Sequence, residues 1–225
     1  MDMHLRFKKK LINLVFVIGI LLIPYQATAT IINFDLNLEF SGATPPAGDT
    51  PWLTAVFNDY DSPGTVEMTL SANNLVEDEY VNSWYFNLDP TLDLTLLNIT
   101  QVSGASASIF LATDQYKADG VGGYFDLLLD FPQDVNDRFI SGGVAIITFE
   151  LNGITAESFN FLSTPDNAPY GYLSAAHVGG IGIDDEYSGW IATTTAPVPE
   201  PGTLILIGSG LIGMAGFRKK FAKAS

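Results

Sequence analysis

From Ile32 to Phe40 every second residue is large and apolar, with Asn33, Asp35, Asn37 and Glu39 between them. Strict alternation over nine residues matches the two-residue period of a strand and not the 3.6-residue period of a helix. The pattern returns along the chain. Trp52 to Asn58 is apolar and β-prone, Asp61-Ser62-Pro63-Gly64 is a turn signal, and Val66, Met68 and Leu70 alternate again, so the two runs read as a hairpin. Trp84, Phe86 and Leu88 share a face. Leu92, Leu94 and Leu96 alternate, but Leu97 and Ile99 have the opposite parity, as a bulge or a change of sheet would require. Ser106 to Ala112 is small and apolar. Phe125 to Phe131 and Ala145 to Leu151 alternate, and Phe159 with Phe161, Leu173 to Val178, and Gly189 to Ala192 supply short further runs. About nine or ten strands, spaced by Gly, Pro, Asn and Asp and with no long amphipathic helix, predict an all-β domain. Clean alternation leaves one face of several strands in water, which favours an antiparallel two-sheet β-sandwich with jelly-roll-like topology. No internal repeat of fixed period is present.

The two ends of the chain follow different rules. Arg6, Lys8, Lys9 and Lys10 precede an apolar run from Leu11 to Ile23, and Ala27-Thr28-Ala29 is an A-x-A site. That order is a secretory signal peptide over residues 1–29, cut by signal peptidase so that the mature chain starts at Thr30. The other end, 196–225, has three parts. Pro197, Pro199 and Pro201 make residues 196–201 rigid and hostile to helix. Residues 202–217 carry no charge, and Arg218-Lys219-Lys220 then begin a basic tail through 225. Basic residues behind an apolar segment stay on the cytoplasmic side, which puts residue 201 and everything before it on the outer side. The apolar segment has 16 residues, just under the roughly 17–25 of a membrane-spanning helix. It reads as one short transmembrane helix, suited to a temporary anchor.

This tail resembles the PEP-CTERM sorting signal of Gram-negative bacteria, through Pro199-Glu200-Pro201, the Gly-interrupted apolar segment from Thr203 to Phe217, and Arg218-Lys219-Lys220. The resemblance implies recognition by an exosortase, a membrane-embedded cysteine transpeptidase-like enzyme of exopolysaccharide-producing bacteria. The basic cluster mixes Arg with Lys, and five residues follow it. The pattern of a GPI signal, which ends in its hydrophobic stretch, does not fit. Pro51-Trp52-Leu53, Trp84 to Leu88 and Ser188-Gly189-Trp190 also resemble segments of uncharacterised PEP-CTERM-bearing proteins, a likeness that brings no activity with it.

Residues 30–195 remain as a single domain, long enough to bury a core without staples. They hold 23 acidic residues and only two basic ones, Lys117 and Arg138, for a net charge of −21. Such a surface repels phosphate backbones, so nucleic acid is not a partner, and it disfavours adsorption to anionic lipid. The chain has no cysteine, which removes disulfides, thiolate catalysis and Cys-ligated zinc.

Few residues could carry chemistry. His177 is the only histidine of the domain, it lies among small apolar residues, and no Ser sits in a G-x-S-x-G elbow of the domain. One histidine cannot build the clusters that zinc or copper use. Asp59, Asp61 and Gly64 match positions 1, 3 and 6 of a calcium loop, but Pro63 and Leu70 occupy positions 5 and 12, so an EF-hand fails. Asp59 with Asp61, and Asp184 with Asp185, stand as candidate calcium ligands of another kind. No other cofactor is implied. Trp190 with Tyr170 and Tyr172 lies beside loops and could offer aromatic faces to sugar rings, whereas Trp52 and Trp84 belong to the core. The sequence therefore reads as an exported, non-enzymatic cell-surface or extracellular-matrix protein. The alternative is a secreted carbohydrate-binding module, with extracellular polysaccharide as partner.

Overall fold

A computed structural model describes residues 29–60, 62–118, 122–166, 171–182 and 184–193. The alternating runs become strands: β1 (Ile31–Glu39), β2 (Leu53–Asn58), β3 (Thr65–Ala72), β4 (Tyr80–Phe86), β5 (Asn98–Gly104), β6 (Ser108–Ala118), β7 (Gly123–Asp130), β8 (Phe139–Ile140), β9 (Val144–Glu150), β10 (Ser174–Ile181) and β11 (Tyr187–Thr193). Alternation translates directly into burial. In β3 the side chains of Val66, Met68, Leu70 and Ala72 are fully buried, while Thr65, Glu67, Thr69 and Ser71 between them are not. The hairpin of β2 and β3 pairs Leu53 with Ala72 and Asn58 with Glu67, so the apolar members of both strands share one face.

All pairings are antiparallel and run along one path, β5-β9-β3-β2-β1-β11-β10-β4-β7-β6, with β8 added beside β4. The expected division into two separately laddered sheets is replaced by one sheet that curls. Ring contacts prove the curl. β2 and β4 are four steps apart on the path, about 19 Å in a flat sheet at roughly 4.8 Å per step. Yet the rings of Phe57 in β2 and Phe86 in β4 meet edge-on with centroids 5.6 Å apart. The concave faces of the two halves therefore press on one apolar core. Phe57 also packs on Phe34 at 5.1 Å and on Phe159 at 4.4 Å. Trp84 is fully buried there, and its indole N–H donates to Ser174 Oγ at 2.8 Å; among the described residues no buried side-chain nitrogen or oxygen lacks a hydrogen-bond partner.

The sheet's two free edges are β5 and β6, consecutive in the chain and joined by residues 105–107. Both are interrupted. The register of β5 slips between Gln101 and Ser103, and that of β6 between Leu111 and Tyr116. Bulges twist an edge away from further strand addition.

Three local expectations are corrected. Leu92, Leu94 and Leu96 do not lie on a strand, because Leu94–Leu96 is a 3₁₀ turn. Asp93 explains this: its carboxylate accepts from Thr95 N at 3.1 Å and Thr95 Oγ1 at 2.6 Å, offering the backbone an alternative to a ladder. Those same hydrogen bonds hold the Asp93 carboxyl below its usual range. Phe159 likewise belongs to a 3₁₀ turn, Ala156–Phe159, opened by a capping box between Thr155 and Ser158. Finally, Leu38 and Phe40 do not share the face of Phe34 and Leu36. Leu36 pairs with Thr193 but Leu38 pairs with its neighbour Ala192, so a bulge between them turns the later residues to the convex face.

Buried carboxylates have an unusual solution here. Glu79, 1% exposed, accepts from Ala47 N at 2.7 Å and Val76 N at 2.9 Å. Asp126 accepts from Leu88 N at 3.0 Å and Asp114 N at 2.8 Å. With two cations in the domain, backbone N–H groups replace Arg and Lys as the partners that a buried charge requires. The cations themselves are engaged at the surface: Lys117 Nζ pairs with Asp166 at 2.5 Å, and the Arg138 guanidinium lies 3.9 Å from the ring centroid of Tyr80.

Candidate functional site

Strand geometry fixes where the processed ends leave the domain. β11 runs antiparallel to β1, and its last residue, Thr193, pairs with Leu36. The beginning of β1 therefore points the same way as the end of β11. Thr30 and Thr193 thus face the same direction along two neighbouring central strands, with Thr193 level with Leu36, the sixth residue of β1. Ala29 is exposed and Thr30 half-buried. Ala27, Pro199, Glu200, Pro201, Arg218, Lys219 and Lys220 lie outside the described residues, as does the apolar segment 202–217. Among the described residues no helix is long and apolar enough to cross a membrane.

The candidate calcium ligands that are described lie apart in the chain, at the end of β2 and in the connection between β10 and β11. Asp59 is 9% exposed, and both of its oxygens are taken: Oδ1 accepts from Thr30 N at 2.8 Å and Oδ2 from Ala156 N at 3.5 Å. Asp61 lies outside the described residues. Asp184 and Asp185 are exposed in the connection between β10 and β11, where Asp185 has a positive φ of 55°. Among the described residues no group of three or more His, Asp or Glu side chains could hold a metal ion, whereas calcium takes about 6–8 oxygens.

The aromatic candidates separate. Tyr172 is buried, with its ring stacked on Phe40 at 4.9 Å, so it presents no face to a ligand. Trp190 is half-buried on the convex face of the sheet. It pairs directly with His177 across β10 and β11, and the two rings stack at 4.7 Å with an angle of 19°. Tyr85 of β4 reaches over the small Ala175 to within 5.5 Å of the Trp190 ring. Burial pushes the Tyr85 phenol above its ordinary pKa, opposed by its hydrogen bond with Ser83 and assisted by the charge of Asp130. Tyr170 lies outside the described residues.

These rings belong to a second apolar cluster, Tyr85, Ala118, Phe125, Tyr172, Ala175 and Ala192, with Leu38, Phe40 and Trp190 packed against it. Alternation alone missed it. The legible signal was a run with no polar parity, Trp84-Tyr85-Phe86 and Ala175-Ala176, which marks strands covered on both faces.

Against known families, one match stands out. The profile described as the PEP-CTERM protein-sorting motif matches residues 197–220. The chain carries a PEP-CTERM sorting motif. Neither a curated protein nor a solved structure matches it. The PEP-CTERM match begins at Pro197, four residues after the end of β11 at Thr193, takes in Pro199-Glu200-Pro201, and closes on Arg218-Lys219-Lys220. A PEP-CTERM motif implies processing by exosortase and export to the cell envelope or surface.

Proposed function

We propose that this chain is a non-enzymatic protein of the cell surface or extracellular matrix, delivered there by its two ends. Signal peptidase removes residues 1–29, and the apolar segment 202–217 then halts in the inner membrane with its basic tail inside. Exosortase acts near Pro199-Glu200-Pro201 and separates the domain from the anchor. The observation that carries this reading is the PEP-CTERM match at residues 197–220. Linker length supports it. Pro199 follows Thr193 by six positions, a span of at most about 20–22 Å when extended, so the curled sheet hangs close to the membrane until it is released. A domain with a net charge of −21 is repelled by an anionic lipid surface, which favours departure once the anchor is gone. The reading is tested in exporting cells with and without their exosortase. With the enzyme, the protein should reach the surface fraction and its N-terminal sequence should read Thr30-Ile31-Ile32. Without it, the protein should remain in the inner membrane; an unchanged distribution would refute exosortase sorting.

A second reading is favoured by the convex face, where half-buried Trp190 lies among His177, Tyr85 and Phe40. A half-exposed ring held by packed aromatic neighbours suits the apolar faces of sugars, so extracellular polysaccharide is the ligand it would take. Affinity electrophoresis in polysaccharide gels, with and without calcium, tests this. Binding should slow the intact protein but not Trp190→Ala, and equal mobility of both would remove the sugar-binding reading.

A further inference from the structure

The backbone nitrogen of Thr30 stands at a junction. The ladder between β1 and β2 has its first pair at Ile31 and Asn58. One residue further out, the Thr30 N–H donates to a side chain instead, Asp59 Oδ1, at 2.8 Å. Asp59 is 9% exposed, and its other oxygen accepts from Ala156 N, the first residue of the second 3₁₀ turn. Tyr60, with a φ of 46°, turns the chain away directly afterwards. On the far side of the Ala29–Thr30 bond, Ala29 is exposed.

We propose that removal of residues 1–29 converts the Thr30–Asp59 hydrogen bond into a partly buried ion pair, which locks the start of β1 onto β2 and gives the domain its full stability only after processing. The proposal rests on the cleavage between Ala29 and Thr30 put forward above. Hydrolysis adds one water across that amide. The C–N bond breaks, the hydroxyl stays on the Ala29 carbonyl carbon as a new carboxyl group, and the Thr30 nitrogen keeps the bonding pair and gains protons to become an ammonium. The positive charge thus forms on an atom already within hydrogen-bond distance of a carboxylate, and no rearrangement is needed to pair them. The acceptor is already a carboxylate, so what cleavage adds is a full positive charge on the donor, and opposite unit charges this close attract strongly where water is partly excluded. The domain's two side-chain cations do not compete for Asp59, since Lys117 pairs with Asp166 and Arg138 lies over Tyr80.

The test uses the full chain exported and processed by cells, with one serine inserted between Ala29 and Thr30. The A-x-A site is kept, but the ammonium moves outward by about 3.5 Å and the Thr30 nitrogen is an amide again. N-terminal sequencing establishes where each chain begins, and thermal unfolding compares them. The wild type should begin at Thr30, and the insertion should lower its melting temperature by about 2–6 °C. Asp59→Asn should lower the melting temperature more in the wild type than in the insertion background. If Asp59→Asn fails to fold, the insertion alone decides. Chains that begin as designed and melt together would overturn the lock while leaving the cleavage intact. A wild-type chain beginning elsewhere would overturn both.

Discussion

With Pro199, Glu200 and Pro201 all changed to alanine, the protein is expected to be made, exported through its N-terminal signal and then held in the inner membrane. The substitution leaves residues 202–217 and the basic Arg218-Lys219-Lys220 untouched, so the membrane segment still stops with its basic end inside. What changes is the approach to the membrane. Prolines at 199 and 201 keep the preceding residues out of the helical region and present an extended segment. Alanines have the highest helix propensity and allow the helix to grow upward from Gly202. Fractionation should show near-complete loss from the surface pool, with a compensating rise in the membrane pool. The folded domain itself should be unaffected, because the three changed positions lie beyond its last strand, β11.

Phe57→Ala should cost more stability than any substitution at the edges of the sheet. The ring is fully buried and touches Phe34, Phe86 and Phe159, which join β1, β4 and the second 3₁₀ turn across the concave face. Removing a buried Phe costs about 3–5 kcal/mol, from lost transfer energy plus the cavity left behind. Total stabilities run at only about 5–15 kcal/mol, so much of the margin would go. At roughly 2–4 °C per kcal/mol for a domain of this size, the melting temperature should fall by about 6–20 °C. Phe110 is the control. It is 45% exposed on edge strand β6, and Phe110→Ala should cost less than about 1 kcal/mol. Equal costs at the two positions would show that the halves of the sheet do not close on Phe57.

The all-β class was legible because alternation in segments such as Val66 to Leu70 has no helical counterpart. The path of the sheet was not, since two separate sheets and one curled sheet demand the same alternation. Only long-range contacts such as Phe57 with Phe86 tell them apart. Leu38 and Phe40 were misassigned in face because a bulge changes parity without leaving a mark in the residue types. The turn at Leu94–Leu96 did carry a mark, Asp93 two residues before Thr95, but three alternating leucines outweighed it. The aromatic candidates divided for a similar reason: Tyr172 and Trp190 both look like loop-side aromatics in sequence, and the packing of Phe40 buries the first while leaving the second half-open. Asp59 read as a metal ligand because its hydrogen-bond partners, the backbone N–H groups of Thr30 and Ala156, have no sequence signature. The sorting motif was the most legible part, since its three parts work by composition and order rather than by tertiary contact.

Sorting by exosortase is tested most directly by mass spectrometry of the C-terminal peptide of surface-associated protein. The motif at residues 197–220 predicts a chain that ends near Pro201 and lacks the apolar segment and everything after it. A surface-derived peptide still carrying Arg218 to Ser225 would contradict it and leave a plain membrane anchor.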